Sequence, residues 1–263
     1  MTPKDYVMKL IIDGYVVVPD IFVGDELGQI RAAYERRTAV LGKRGFMWDK
    51  ICTDPDLMQW YGHPNFIQYA KPFYEHYGHE IVIPPVGSYG DAHKPEGDPP
   101  QPVDPQGVAR GEYEMHNDPW LLTKTSYRSL AQGFGCLLYL DETFSDSGAF
   151  MAAKGSHNLT YVNENGLPVY PTWELVKEHC ELSVVPVKAG SGIFQLAFNW
   201  HGATAARQTR RMCRFNFLPR GLYWDQREVQ GDCGGIRQWT EEEAALLRPD
   251  AHWLLPGPDP LAA

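Results

Sequence analysis

Glu114-Met-His-Asn-Asp-Pro-Trp120, taken together with Asn199-Trp-His-Gly-Ala-Thr204 far downstream, is where the reading of this chain turns. His116 and Asp118 stand two apart, so on an extended strand both side chains leave the same face, and an imidazole and a carboxylate can converge on one ion. His201 is the candidate third ligand. Two histidines and one carboxylate on one side of a metal, with the other positions open, is the arrangement used by non-haem Fe(II) oxygenases. Alone, a His-x-Asp tripeptide carries little weight, because 9 histidines and 33 acidic residues produce one by chance. Its weight comes from the sequence around it.

At 263 residues the chain has the length of one large domain or two small ones, and a single all-β or mixed barrel is ordinary at that size. The hydrophobic share of 43% and aromatic share of 13% are ample for a core and a pocket. Against 24 basic residues stand 33 acidic ones, a formal net charge of −9 that argues against a nucleic-acid footprint or an anionic membrane surface as partner. A local arginine cluster can still hold an anionic small molecule, so a small-molecule substrate is the expected partner. The oligomeric state is not legible. The five cysteines, Cys52, Cys136, Cys180, Cys213 and Cys233, are odd in number and include no C-x-x-C pair, which points to neither a disulfide framework nor a zinc finger. A reducing cytoplasm is the expected location. Met1-Thr-Pro-Lys-Asp5 lacks the basic start and apolar run of a signal peptide, and no apolar run is long enough to span a bilayer.

Along the chain, residues 5–19 run from polar-apolar alternation into Asp13-Gly-Tyr-Val-Val-Val-Pro19, a turn and a short β-branched strand that the proline stops. Asp25 caps a helix carrying Leu27, Ile30, Ala33 and Tyr34, and a second helix runs from about Pro64 to Tyr77, with a kink expected at Pro72. His63, His76 and His79 in or beside it read as surface or hydrogen-bonded residues. After a strand over 80–84, the Pro- and Gly-rich stretch 86–110 cannot be a regular helix or central strand and reads as a lid. Strands come next at 134–140, 149–152, 183–187, 193–198 and 211–217, the fourth delivering His201 at its end, with a short helix near 173–178. Thr240 and Glu243 form a capping box, and Pro249, Pro256, Pro258 and Pro260 leave the tail without a regular fold. Strands joined by Gly-rich turns predict a jelly-roll barrel with the ligands near one mouth. The expected organisation is one domain over 1–263, with a core over about 7–220 and a C-terminal extension over 221–263.

Three protein ligands leave half an octahedron open. A 2-oxo acid can chelate there through its keto oxygen and adjacent carboxylate, leaving one position for dioxygen. Its far carboxylate then needs a cation at a fixed distance, and Arg210, nine residues beyond His201, is placed to hold it through two parallel hydrogen bonds as a lysine cannot.

At these residues the chain resembles the phytanoyl-CoA dioxygenase family of Fe(II)/2-oxoglutarate-dependent oxygenases. The matching pieces are Asp13 to Pro19, His116-x-Asp118, Leu138-Tyr-Leu-Asp141 with Gly148, Gly155-Ser-His157, Gly190 eleven residues before His201-Gly202, and Arg210-Arg211 before an apolar strand. They span roughly residues 7–220 in order, which is more specific than any one motif. The resemblance implies a double-stranded β-helix (jelly roll, cupin-like), with Fe(II), 2-oxoglutarate and dioxygen. It assigns His116, Asp118 and His201 as iron ligands and Arg210 as the 2-oxoglutarate anchor. The turn before the anchor is shorter than the family's, which leaves Arg211 and Arg214 as alternatives. Ala203 stands where a hydroxyl residue commonly follows His-Gly, and Thr204 is its candidate replacement. His157 reads as structural. Halogenating relatives carry a small residue in place of the carboxylate, so Asp118 favours hydroxylation, desaturation or ring formation. Candidate substrate contacts are Trp120, Tyr89, Lys94, Arg110 and Arg128, and the expected substrate is a small specialised metabolite. Two alternatives stand beside this: a cupin-like metal enzyme that does not use 2-oxoglutarate, and a non-catalytic jelly-roll binding protein.

Overall fold

The structure, a computed structural model, describes residues 2–41, 47–48, 54–85, 87–92, 115–117, 134–164, 168–204, 210–220 and 239–257. The chain opens with α1, Pro3–Asp13, where the polar-apolar alternation suggests no helix. Thr2 and Asp5 close a capping box: the Asp5 amide donates to the Thr2 hydroxyl at 3.3 Å and the Thr2 amide to the Asp5 carboxylate at 2.7 Å. Tyr6, Val7 and Leu10 then fall on one buried helical face, an i, i+1, i+4 spacing that a strand would split between its two faces. Gly14 ends the helix at φ 81°, and β1 (Tyr15–Val18) comes after it, halted by Pro19 as expected. Next are α2 (Gly24–Leu41), β2 (Met47–Trp48), α3 (Pro55–Met58) and α4 (Pro64–His76), which continues through Pro72.

Strands dominate the rest of the chain, beginning with β3 (Ile81–Val82), β4 (Gly87–Ala92), β5 (Phe134–Tyr139) and β6 (Phe150–Ala153). A 3₁₀ turn at Ser156–Leu159 leads to β7 (Tyr161–Val162), β8 (Pro168–Val169) and α5 (Trp173–His179). The series ends with β9 (Leu182–Val185), β10 (Gly192–Leu196), β11 (His201–Ala203), β12 (Arg210–Pro219) and α6 (Glu241–Ala245). Three expectations are corrected. The stretch 87–92 is a strand paired on both sides, because the prolines that forbid a ladder begin only at Pro95; residues 93–110 of the expected lid lie outside the described residues. His201 does not end the strand before it: β10 stops at Leu196, and His201 opens β11 in another sheet. The tail is ordered at Pro249–Leu254, a 3₁₀ turn tied to the body by the Ile83 amide donating to Leu254 O at 3.1 Å.

One antiparallel sheet has the order β1-β10-β5-β12-β4-β2, with β3 also pairing with β12; a second has the order β11-β6-β9. After β4 the chain passes between the two sheets repeatedly, and residues of both line one cavity, which is the jelly-roll architecture expected. Alternation along the strands sorts the core. Cys136, Leu138, Phe194, Leu196, Cys213, Phe215 and Phe217 pack outward against α1, α2 and α4, while Leu137, Tyr139, Phe150, Ile193 and Met212 point into the barrel. The run 134–140 is almost continuously apolar because both of its faces are covered.

Two devices pin the barrel to its helical cover. Gly190 sits at φ 84°, and a Cβ there would lie 2.0 Å from the Phe22 carbonyl oxygen, so only glycine fits. Arg211 donates to Asp141 through Nε at 2.9 Å and pairs with Glu35 of α2. Burial pushes the Asp141 carboxyl up, but the Arg211 hydrogen bonds outweigh it and hold the group below its ordinary value. A depressed carboxylate stabilises fully above its unfolded value and loses that contribution as pH falls through the folded one. Arg211→Ala is therefore expected to lower unfolding free energy by about 1–3 kcal/mol at neutral pH, with the deficit shrinking below the ordinary aspartate range in urea titrations. Gly190→Ala should cost at least about 2 kcal/mol in the same measurement, at any pH.

Candidate active site

The two sequence-predicted histidines meet. His116 and His201 form an antiparallel bridge, with the His116 amide donating to His201 O at 2.9 Å and the His201 amide to His116 O at 2.7 Å. Directly opposed residues send their side chains to the same face, and here the imidazole centroids are 4.4 Å apart at 52°. The small sheet sets this register, because His201 pairs with Ala152 and Ala203 with Phe150, whose ring stacks on the His201 imidazole at 6.1 Å. His201 is 5% exposed, while His116 lies open at the mouth.

The tautomer of His201 is set by its neighbours. Its Nδ1 lies 2.8 Å from Asn199 O, a pure acceptor, so the ring proton sits on Nδ1 and the lone pair on Nε2. The Gln195 amide nitrogen donates toward that lone pair at 3.2 Å. An imidazole with Nδ1–H tied to a carbonyl and Nε2 turned to a cavity is the state a metal ligand needs, and a metal would displace the Gln195 contact. Asp118 lies outside the described residues. Among the described residues no group of three or more His, Cys, Asp or Glu gathers; of the predicted triad the described residues include the histidine pair.

The pair faces a cavity of about 200 Å³. Leu137, Tyr139, Phe150 and Met212 form its apolar walls, and Arg210 and Arg214 supply two buried guanidinium groups. Arg210 is 4% exposed, lies over the Tyr139 ring at 5.8 Å and donates through Nη1 to Gly148 O at 2.9 Å. Gly148 makes room for it: a Cβ there would meet Arg210 Cδ at 3.0 Å, on a backbone at φ 70°. The alternation of β12 decides among the three candidate arginines. Arg210 and Arg214 share the inner face, whereas Arg211 points outward to Asp141 and Glu35, so Arg211 is corrected from candidate anchor to outer ion pair. Thr204 is also corrected: it does not line the cavity, and its hydroxyl accepts from the Ala149 amide at 2.8 Å, joining the end of β11 to the approach to β6.

Of the candidate substrate contacts, Trp120, Lys94, Arg110 and Arg128 lie outside the described residues, and Tyr89 falls in β4 opposite Cys213. His157 is structural as expected. Its Nε2–H donates to Ile11 O at 2.8 Å, and burial pushes its pKa down, which keeps the ring neutral. His76 is exposed, and His63 caps α4 by accepting from the Asn65 amide at 3.2 Å. Cys136, Cys180 and Cys213 are free thiols; burial pushes Cys213 up to about 12. Sequence reasoning missed Gln195 as a cavity residue. Its signal is a lone amide inside the apolar run Ile193–Phe198, at the alternation position shared with Ile193.

No protein-family model matches the sequence, and no curated protein does. Solved structures share its fold. The epimerase SnoN in complex with Fe3+, alpha ketoglutarate and nogalamycin RO superposes with a TM-score of 0.65 at 15% identity, covering 91% of this chain and 96% of that one. EctD from S. alaskensis with 2-oxoglutarate and 5-hydroxyectoine gives 0.63 at 14% identity over 84% and 78% of the two chains. The carbocyclase SnoK from nogalamycin biosynthesis gives 0.61 at 17% identity over 84% and 87%. At such identity the likeness concerns the fold.

His116→Ala and His201→Ala are each expected to weaken ferrous-ion binding by at least about tenfold, read as iron retained after gel filtration under anaerobic conditions. His76→Ala and His157→Ala should retain wild-type iron content in the folded fraction.

Proposed function

We propose that this chain is an Fe(II)/2-oxoglutarate-dependent oxygenase of the phytanoyl-CoA dioxygenase type that hydroxylates, or otherwise oxidises through hydrogen abstraction, a small organic metabolite. The observation that carries the reading is the pairing of functions in one cavity: a histidine pair with the His201 lone pair turned inward, and a buried guanidinium on the same cavity wall. A metal-binding barrel that did not use 2-oxoglutarate would need no such cation. Burying one without purpose costs several kcal/mol, and Gly148 is shaped to admit it.

His116 and His201 would hold the ferrous ion with Asp118, and Arg210 would fix the far carboxylate of 2-oxoglutarate through a two-point guanidinium contact. The iron, when bound, supplies activation of dioxygen coupled to decarboxylation of 2-oxoglutarate. The chain's own contribution is placement. Asn199 O holds the His201 ring in one tautomer, Phe150 stacks on that ring, and Tyr139 braces Arg210. Apolar walls exclude bulk water around the co-substrate. An aspartate at position 118, where the halogenating relatives carry a small residue, favours hydroxylation, desaturation or cyclisation. The fold neighbours include an epimerase and a carbocyclase, so the architecture hosts several outcomes and does not choose among them. The small metabolites bound in two of those neighbours, nogalamycin RO and 5-hydroxyectoine, support a specialised metabolite as substrate class. Among the described residues no helix is long and apolar enough to cross a membrane, and a cytoplasmic setting suits ferrous chemistry.

The test is anaerobic calorimetry of 2-oxoglutarate binding to iron-loaded protein. Wild type should bind, and Arg210→Gln should weaken binding by at least roughly tenfold, the loss of a charge-assisted contact. In air the wild type should convert 2-oxoglutarate to succinate, and His201→Ala should not. Iron binding without any 2-oxoglutarate binding would hand the site to the cupin-like alternative.

A further inference from the structure

Gly155-Ser156-His157 lines no part of the cavity, yet it is tied to the two residues that precede His201. Its flanks are fixed on the last turn of α1. The Gly155 amide donates to Asp13 O at 2.8 Å, and His157 Nε2–H donates to Ile11 O at 2.8 Å. Between them Ser156 is 0% exposed, and its hydroxyl both makes and receives a hydrogen bond. It donates to Asn199 Oδ1 at 3.0 Å, which leaves a lone pair to accept from the Trp200 amide at 2.8 Å. Asn199 is itself fully buried, and its Nδ2 donates to Trp200 O at 3.5 Å. Gly14 closes the other side: a Cβ there would lie 2.3 Å from Asn199 Oδ1, and its carbonyl accepts from the Leu196 amide at 2.9 Å.

The geometry of one peptide unit gives the serine contact its consequence. The Asn199 carbonyl and the Trp200 N–H belong to the same plane, and in a trans peptide they point in opposite directions. Ser156 holds the N–H edge of that plane at 2.8 Å, and the His201 Nδ1–H meets the carbonyl edge at 2.8 Å. The turn Ala197-Phe-Asn-Trp200 contains neither glycine nor proline, so no residue in it dictates which way the peptide faces. Turned over, the same peptide would present an N–H where the carbonyl now stands. An imidazole facing a donor keeps its lone pair on Nδ1 and its proton on Nε2, the nitrogen turned to the cavity. That tautomer cannot ligate a metal there. A hydroxyl outside the cavity thus selects the form of the ring inside it.

We propose that Ser156 is a positioning residue of the metal centre: by clamping the peptide between Asn199 and Trp200 it keeps the carbonyl on His201 Nδ1, and so keeps the Nε2 lone pair directed at the ferrous ion. The inference rests on the reading of His201 as an iron ligand and deepens it. Alanine at 156 would fill most of the same space and leave the Trp200 N–H without its acceptor, which removes the reason for the plane to face as it does. Thr204 supplies the comparison. It is 1% exposed, lies just past the other end of β11 and makes an equally short contact to backbone, accepting from the Ala149 amide at 2.8 Å, on a peptide that does not face His201 Nδ1.

The experiment reads the tautomer directly. In metal-free, isotope-labelled protein, two-bond proton–nitrogen correlation spectra tell a protonated ring nitrogen from a bare one, and wild type should show His201 protonated on Nδ1. Ser156→Ala should populate the Nε2–H form, and in anaerobic titrations should weaken ferrous-ion binding by at least roughly threefold, less than the loss of a ligand's direct partner. Thr204→Val removes a hydroxyl of like burial; it should lower the melting temperature as Ser156→Ala does and leave both readouts at their wild-type values. Ser156→Cys fills the site with a weak acceptor, and it decides the matter if the alanine variant lacks a cooperative melting transition: a wild-type tautomer there overturns the proposal. A wild-type tautomer in folded Ser156→Ala overturns it equally, as does a loss of iron affinity below about threefold. Wild type protonated on Nε2, or the same two changes in Thr204→Val, would do so too. In all these cases the oxygenase reading stands, whereas wild type that binds no ferrous ion brings down both.

Discussion

The paired backbone hydrogen bonds between His116 and His201 are the constraint on which the site depends. They join segments 85 positions apart (201 − 116) and set which way both imidazoles point. A slip of one residue in an antiparallel pair would send the side chain to the opposite face, so two imidazoles that converge on one cavity cannot tolerate a loose register. The register is held from the other side by β6, whose Phe150 and Ala152 face the same interior as His201 and whose Met151 and Ala153 pack against Val176 of α5. Packing on both faces of β6 thus fixes β11, and β11 fixes His116. The contact to Asn199 O completes the chain of cause by choosing which ring nitrogen carries the lone pair.

The large sheet performs a different task with the same periodicity. Arg210-Arg-Met-Cys-Arg-Phe-Asn-Phe217 looks irregular as a string, but Arg210, Met212 and Arg214 line the barrel interior, and its odd-numbered residues from Cys213 on bury themselves against the helices. Arg211 would break that outer apolar face, and it lies near the strand's first residue, where Asp141 and Glu35 compensate it. One strand therefore ties the barrel to α2 and equips the cavity with cations. Both uses need β12 to be central, and it is, with β5 on one side and β4 on the other.

Much of this is legible in the sequence, for identifiable reasons. The apolar run 134–140, the turn at 141–148 and the arginine-led strand carry their own periodicity, and the two histidines are recoverable because their chemistry is rare at that spacing. The hidden part is long-range. Nothing local says that Leu196 ends one strand and His201 begins another in a different sheet, since the break lies in an Ala-Phe-Asn-Trp turn with no glycine or proline. The helix at residues 3–13 escapes a periodicity reading because the apolar Met8 and Ile12 are exposed and blur the stripe of Tyr6, Val7 and Leu10, and the capping box that marks it rests on Asp5 rather than the usual Glu. The strand at 87–92 is masked by the proline-rich stretch behind it, whose prolines do not reach that far back. Arg210 against Arg211 is a matter of phase: counting residues cannot resolve it until the strand's start is known.

A chain with a formal net charge of −9 nevertheless concentrates two guanidinium groups in one small cavity, so net charge says little about local chemistry. Charges on a surface are screened by salt water within roughly 10 Å. Inside the barrel the walls are Leu137, Tyr139, Phe150 and Met212, and a field set up there is screened far less. The same arginines on the surface would contribute almost nothing to affinity. Behind apolar walls, each held by an oxygen of its own, Gly148 O for Arg210 and Asn216 Oδ1 for Arg214, they become fixed points in a pocket whose depth separates them. The fold repeats in enzymes described as an epimerase, a carbocyclase and a protein bound to 5-hydroxyectoine, so the barrel alone selects no substrate. Selection has to come from side chains that the barrel positions without needing for its own stability, and a buried cation costs stability to keep.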